Sequence, residues 1–197
     1  MAAEAPGADL GWRAAELQLP GTDGRTHDLR GLAGARGTVV AFICNHCPYV
    51  QAILPRLVRD ARDLGDLGVA VIAINSNDAE AYPEDSFERM VEVAPSLSFP
   101  YLYDASQAVA KAYGAVCTPD FFGFDASLRL RYRGRLDASR KVAAPEGTPR
   151  ELYEAMRLIA ETGHGPLEQH ASIGCSIKWR QEPSPSARRR PPHGRPD

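Results

Sequence analysis

Residues 39–50 read VVAFICNHCPYV, an apolar, β-branched run followed at once by two cysteines in the spacing C-x-x-C. Apolar side chains then recur at helical spacing over residues 50–64, which predicts an amphipathic helix. A dithiol at the start of a helix lies near free backbone N–H groups and the positive end of the helix dipole, and both favour a thiolate. Because the thiolate is the form that attacks disulfides and peroxides, this stretch predicts redox chemistry.

The residues of the motif suggest separate roles. Cys44 ends the strand and is predicted to be the more exposed thiol and therefore the nucleophile. Cys47 follows at i+3, on the same helix face and within disulfide reach, so it is predicted to resolve a mixed disulfide. His46 lies between the two sulfurs and can add positive charge beside the Cys44 thiolate.

Two other interpretations of the motif stay open. A C-x-x-C with a histidine is half of a zinc site, which needs two further ligands. The candidates elsewhere in the chain are Cys117, Cys175, His164 and His170, although the sequence has no second C-x-x-C and no H-x-x-x-H. The other interpretation is a pair of inert, buried thiols.

Composition narrows the class of protein. The chain has 197 residues, 44% of them apolar, which is enough for one α/β domain with a core that needs no disulfides. A net charge of −2 gives no support for nucleic-acid binding. No apolar stretch approaches the roughly 18–20 residues of a membrane span, and residues 1–7 lack the features of a signal peptide. The expected location is therefore the cytoplasm, where a C-x-x-C indicates redox or metal chemistry.

The pattern along the chain predicts an α/β fold, with one mixed β-sheet flanked by helices and preceded by a β-hairpin over 15–30. Thr148 is predicted to cap the last helix, with Pro149 at its first position. We expect a flexible leader at 1–10, a domain at 11–180 and a disordered Pro/Arg-rich tail at 181–197. The other predicted elements are strands at 38–43, 69–74, 99–103, 121–124 and 128–132, and helices near 86–93 and 106–113.

Several longer blocks resemble the thioredoxin-fold superfamily and, within it, the peroxiredoxin-like redoxins of the alkyl hydroperoxide reductase/thiol-specific antioxidant family. The resemblance covers about residues 10–180. Its blocks are CNHCPYV at 44–50, YPED at 82–85, FPYLYD at 99–104, AYGAVCTPD at 112–120, YRGRLD at 132–137 and SIGCSIKW at 172–179.

The resemblance implies a thioredoxin fold in which the Thr118–Pro119 bond is cis and Pro119 packs against Cys44 and Cys47. It implies a thiol-disulfide oxidoreductase that needs no cofactor, acts on a disulfide-bearing protein or a peroxide, and is restored by an external thiol reductant such as a thioredoxin system. Relatives of this kind often form homodimers, which is a further expectation. Cys117 and Cys175 are candidate additional redox thiols.

One departure bears on peroxide reduction. The peroxidatic motif of that family, P-x-x-x-[TS]-x-x-C, holds the peroxide with a threonine hydroxyl and backbone amides. Counted back from Cys44, the proline and hydroxyl positions hold Gly37 and Ala41; from Cys47 they hold Val40 and Cys44. Disulfide exchange is therefore the first expectation, with a thiol-dependent peroxidase and a non-catalytic redox sensor or zinc-binding module as the alternatives.

Overall fold

A five-stranded mixed sheet forms the centre of the computed structural model, which describes residues 2–6, 9–142 and 144–181. Three of its strands are parallel, while the other two run antiparallel to their neighbours and close the sheet as a hairpin. In spatial order the strands are β6 (Tyr101–Tyr103), β5 (Val69–Asn75), β4 (Gly37–Phe42), β8 (Asp120–Asp125) and β9 (Leu130–Gly134). The predicted mixed sheet is confirmed.

The central strand β4 is buried along its whole length because both faces of the sheet are covered. Val39 and Ala41 belong to the core on one face, and Val40 and Phe42 belong to the core on the other. This alternation follows from the two-residue period of a strand. The continuous apolar run therefore fixes both cores and leads the chain to the sheet edge where the cysteines lie.

In the described part of the chain, five helices and one further hairpin surround the sheet. The helices are α1 (Leu29–Leu32), α2 (Pro48–Asp66), α3 (Phe87–Val93), α4 (Ala108–Tyr113) and α5 (Glu151–Thr162), with short 3₁₀ turns at Pro83–Asp85 and Ala94–Ser96. The hairpin pairs β2 (Gln18–Pro20) with β3 (Thr26–Asp28), as predicted.

The predicted cap of the last helix is wrong. Helix α5 begins at Glu151, its N-cap is Arg150, and no side chain caps it. The Thr148 hydroxyl donates instead to the Pro145 carbonyl at 2.7 Å, so it is occupied in the preceding turn. Arg150 Nε donates to Asp60 Oδ1 of α2, and this ion pair connects the start of α5 with α2.

A small antiparallel sheet lies beside the site and was not predicted. Strand β10 (Ile173–Ser176) pairs on one side with β1 (Ala2–Glu4) and on the other with β7 (Cys117–Thr118). Residues 2–4, expected to belong to a flexible leader, are therefore held in a strand by backbone hydrogen bonds. The remaining boundaries stay predictions, since the tail from residue 182 lies outside the described residues.

Within the described ranges, none of the helices combines the length and the apolarity that a bilayer crossing requires.

Candidate active site

Cys44 and Cys47 lie where β4 meets α2, but only one of them is at the helix N-terminus. Helix α2 begins at Pro48, so Cys47 is its N-cap residue. Cys44 lies three residues before that cap, outside the helix. Both residues are buried, with exposed fractions of 1% and 0%, and the expected greater exposure of Cys44 is not seen. Proline is favoured at the first helical position, so Pro48 already marked this boundary in the sequence.

Thr118 contacts both sulfurs. Its hydroxyl lies 3.3 Å from Cys44 Sγ, and its carbonyl oxygen accepts a hydrogen bond from the Cys47 thiol at 3.1 Å. The Thr118–Pro119 peptide bond is cis, as the family resemblance implies. A hydroxyl that donates to Cys44 stabilises a thiolate there, while a carbonyl beside Cys47 favours the protonated thiol. Thr118 therefore favours a state in which the proton is on Cys47.

Other groups favour the opposite placement of the proton. The pKa of Cys47 is lowered, first by a hydrogen bond from Cys44 and further by the N–H of Val50 and by the thiol and N–H of Cys175. The pKa of Cys44 is raised, first by the same hydrogen bond with Cys47, then by burial and by the charge of Asp85. The balance of these effects places the thiolate on Cys47, whereas the sequence analysis expected it on Cys44. The pair shares one proton.

Asp85 is the main functional residue that the sequence analysis missed. Its side chain is fully buried, and Oδ1 accepts the backbone N–H groups of Asn45 at 2.8 Å and His46 at 3.3 Å. Oδ2 accepts from Asn77 Nδ2 at 2.7 Å and lies 2.6 Å from His46 Nδ1. The carboxylate thereby fixes the two residues between the cysteines. In the sequence analysis Asp85 appears only in the YPED block of the family resemblance, with no role in the site.

The loop between the cysteines is held from further sides as well. The Tyr101 hydroxyl donates to Asn45 Oδ1 at 3.0 Å, and Asn45 Nδ2 donates to the Glu84 carbonyl at the same distance. The His46 ring stacks on Tyr82, with centroids 5.7 Å apart and planes 4° from parallel. The backbone path of the loop is thus set by contacts with segments far away in the sequence.

The structure offers one set of metal donors in the described part of the chain. Donor atoms of Cys44, His46 and Asp85 all lie within 4.8 Å of one another. The set differs from the sequence-based candidates, because it contains none of Cys117, Cys175, His164 or His170. Asp85 already accepts two backbone N–H groups and an amide, so much of its capacity to bind an ion is used in holding the loop.

The two remaining cysteines lie on the paired strands beside the dithiol. Cys117 is fully buried, and its thiol donates to the Pro119 carbonyl at 3.5 Å. Cys175 is partly exposed and lies opposite Thr118 in the β10–β7 pairing. Its side chain packs against the core cluster that contains Cys44 and Cys47.

A cavity of about 330 Å³ opens beside Cys44. Cys44 contributes to its wall and Cys47 does not. The lining is mostly apolar, with Glu92 as the one charged side chain; the main apolar contributors are Ile43, Val50, Leu54, Val93, Leu97 and Tyr101. A substrate that enters here therefore meets Cys44 and not Cys47.

Comparison with known proteins supports this description. The model of the AhpC/TSA family matches residues 10–133. The chain belongs to the AhpC/TSA family. A crystal structure of an uncharacterized conserved protein from Geobacillus kaustophilus is 45% identical, covers 93% of this chain and 98% of its own, and superimposes with a TM-score of 0.87.

Two further comparisons concern thiol chemistry and the fold. The thiol-disulfide oxidoreductase ResA of Halalkalibacterium halodurans is 31% identical over 107 residues, which is 54% of this chain and 57% of that protein. The match thus spans little more than half the length of this relative. The thioredoxin domain of a thiol-disulfide oxidoreductase from Bacteroides vulgatus, 16% identical, superimposes with a TM-score of 0.57 over 78% of this chain and 99% of its own. The fold is the thioredoxin fold.

Proposed function

We propose that this protein is a thiol-disulfide oxidoreductase whose redox-active dithiol is Cys44 and Cys47. The observation that carries the proposal is the position of Thr118 against both sulfurs, with its hydroxyl at Cys44 and its carbonyl at Cys47. Inert core cysteines need no such paired contacts. The similarity to a named thiol-disulfide oxidoreductase over 107 residues supports the same activity.

In the proposed first step, Cys44 attacks because it lines the cavity and Cys47 does not. As the shared proton moves to Cys47, the Cys44 thiolate forms a bond with one sulfur of a substrate disulfide, and the substrate S–S bond breaks. The leaving sulfur departs as a thiolate and takes up a proton from solvent. The hydroxyl of Thr118 stabilises the attacking thiolate, and its carbonyl holds the proton on Cys47.

In the second step Cys47 resolves the mixed disulfide. Its thiol loses the proton and attacks Cys44 Sγ, and the second substrate sulfur leaves. The N–H groups of the helix N-terminus and of Cys175 stabilise the Cys47 thiolate needed for this attack. The substrate has gained two electrons, and the Cys44–Cys47 disulfide holds the oxidised state. An external dithiol, such as a thioredoxin system, then reduces it.

Trapping of mixed disulfides tests the assignment. A Cys47→Ser protein incubated with a model disulfide should accumulate a mixed disulfide on Cys44, identified by mass after acid quenching. The matched Cys44→Ser protein should accumulate none with the substrate. Trapping by Cys44→Ser alone would reverse the two roles, and the absence of substrate disulfides in both variants would reject the proposed activity.

A thiol-dependent peroxidase is the second candidate, favoured by the AhpC/TSA family match. Gly37 and Ala41 supply no hydroxyl, and the hydroxyl beside Cys44 comes instead from Thr118. Hydroperoxide consumption that depends on Cys44 would establish this activity. A role in antioxidant defence or redox homeostasis belongs to this proposal, while the cytoplasmic location and the homodimer stay predictions.

A metal-binding sensor is a third candidate, favoured by the Cys44, His46 and Asp85 donors. The test is metal analysis of protein purified without chelators, together with thiol alkylation rates. A stoichiometric ion and thiols protected from alkylation would support the sensor. Metal-free protein with rapidly alkylated thiols would reject it.

A further inference from the structure

Cys175 packs against the buried cluster that contains Cys44 and Cys47. Strand β10 brings it opposite Thr118, whose carbonyl accepts the hydrogen bond of the Cys47 thiol at 3.1 Å. The thiol and the N–H of Cys175 both lower the pKa of Cys47, as the thiol of Cys44 does. Cys47 therefore has two cysteine neighbours, Cys44 and Cys175.

The sulfurs of this group differ in their access to solvent. Cys44 and Cys47 are 1% and 0% exposed, whereas Cys175 is partly exposed at the small sheet. A protein dithiol that reduces the Cys44–Cys47 disulfide must reach one of its sulfurs directly. Cys175 is a partly exposed cysteine that such a reductant can reach, and it packs against the core cluster that contains the buried pair.

We propose that Cys175 is a third redox thiol, which accepts the disulfide from Cys44–Cys47 and presents it to the external reductant. This inference rests on the proposed function of the dithiol. The Cys175 thiolate attacks Cys47 Sγ, a Cys47–Cys175 bond forms, and the Cys44–Cys47 bond breaks. Cys44 leaves as a thiolate and takes up the proton that Cys175 released. The exchange involves no net oxidation or reduction.

The external dithiol completes the cycle. One of its thiolates attacks Cys175 Sγ, and Cys47 leaves as a thiolate, which its neighbouring N–H groups stabilise. The second thiol of the donor then attacks its own sulfur in the mixed disulfide and releases Cys175. The donor ends as a disulfide, having supplied two electrons, and all three protein sulfurs are reduced.

The electrostatics of Cys175 make this transfer depend on the redox state. Its pKa is raised to about 11, first by burial and then by the hydrogen bond and charge of Cys47. When Cys47 enters a disulfide, it carries no negative charge and both of its effects are lost. Lys178, whose positive charge favours the Cys175 thiolate, stays in place. Cys175 therefore becomes more acidic when there is a disulfide for it to attack.

Disulfide mapping tests the bond itself. A Cys44→Ser protein treated with one equivalent of diamide should form the Cys47–Cys175 disulfide, detected as a linked peptide after alkylation under acidic, denaturing conditions. Cys44→Ser combined with Cys175→Ser should form no such link. The matched control is Cys44→Ser combined with Cys117→Ala, which should still form it. Absence of the linked peptide from Cys44→Ser would overturn the proposal.

Kinetics test whether the Cys47–Cys175 disulfide is used during reduction of the protein. In Cys175→Ser and Cys175→Ala proteins, reduction by thioredoxin should slow by about tenfold or more, and by a larger factor than oxidation of the dithiol by a small model disulfide, because the protein reductant loses the partly exposed cysteine while the cavity beside Cys44 stays. Cys117→Ala should behave as wild type. Equal reduction rates in wild type and both Cys175 variants would reject the relay alone. A wild-type protein that forms no Cys44–Cys47 disulfide would reject the relay and the proposed function together.

Discussion

The backbone of Gly174 packs directly against the carbonyl group of Thr118. A Cβ built on Gly174 would overlap the oxygen and the carbon of that carbonyl, so the approach requires glycine. We expect Gly174→Ala to push β10 away from Thr118, to lower the free energy of unfolding by about 1–3 kcal/mol, and to slow disulfide exchange. Denaturant unfolding and turnover of a model disulfide measure the two effects.

A matched control is Gly65→Ala. Gly65 lies inside α2, and a Cβ added there meets nothing within 4 Å. This substitution should leave turnover unchanged and raise the free energy of unfolding by roughly 0.5–1 kcal/mol, since alanine is the better helix former. If Gly174→Ala also left turnover unchanged, the position of Thr118 would not matter for the reaction.

The proton shared by the cysteines predicts a pH effect. The pKa of Cys47 is lowered chiefly by the hydrogen bond from Cys44, so Cys44→Ala should raise the pKa of Cys47. Thiolate is present above the pKa, and the onset of Cys47 alkylation should therefore move to higher pH. Cys44→Ser, which keeps a donor hydroxyl, should give a smaller shift. Rates of iodoacetamide modification against pH measure both, and identical profiles would contradict the shared proton.

The charge of Asp85 predicts a second pH effect. The pKa of Cys44 is raised by the hydrogen bond with Cys47, by burial and by Asp85, so a Cys47→Ser background isolates the last two causes. In that background Asp85→Asn should lower the Cys44 pKa and move its alkylation to lower pH. It should also cost about 1–3 kcal/mol of unfolding free energy, because Asn77 loses its acceptor.

The control for that experiment is Asp104→Asn. Asp104 is equally buried and accepts from Ser76 and Ala110 at 2.9 Å, but it contacts neither cysteine. The Asp104→Asn substitution should lower the free energy of unfolding without moving the pH profile of Cys44 alkylation. A profile that moved as far in Asp104→Asn as in Asp85→Asn would show that loosening of the fold, and not charge, shifts the Cys44 pKa.

The raised pKa of Asp120 predicts how the free energy of unfolding changes with pH. Burial raises its pKa from 3.8 to about 6, against the opposing charge of Arg133, 3.1 Å away. Because the folded state binds this proton more tightly than the unfolded chain, the contribution to stability is complete below pH 4 and is lost as pH rises through 6. The loss is about 3 kcal/mol for a shift of this size.

Comparison with Asp120→Asn isolates that contribution. The asparagine stays neutral at every pH, so the stability of the variant should not fall between pH 4 and 6 on this account. The measured quantity is the difference in unfolding free energy between wild type and variant at several pH values. A difference that stays constant over this range would contradict the raised pKa.

The sequence predicted the part of the fold that depends on local pattern. The apolar run before Cys44 indicated β4, and helical spacing indicated α2, because burial on two faces or on one stripe leaves a direct periodic signal. The start of α2 was predicted too early, at the dithiol, whereas the helix begins at Pro48. Proline misled at Pro149, where Thr148 bonds to the preceding turn instead of to the helix. Such rules cannot distinguish these two outcomes without the tertiary contacts.

The surroundings of the dithiol depended on contacts that no local pattern shows. Asp85 reaches Asn45 across 40 residues of sequence, and β10 lies in a segment without periodicity. The cis bond before Pro119 was predicted only through family resemblance. The approach of Cys175 to Cys47 follows from the pairing of β10 with β7, and a strand of only four residues is too short for its pattern to predict that pairing.

The burial of Cys117 affects how the oxidation state of this protein must be counted. Its thiol is enclosed, and its pKa is raised by burial and by the nearby carboxylate of Asp120. A colorimetric reagent added to the native protein will therefore miss this sulfur even when every cysteine is reduced. Titrations on folded material would report a shortfall that looks like partial oxidation, and only denatured samples give the true stoichiometry.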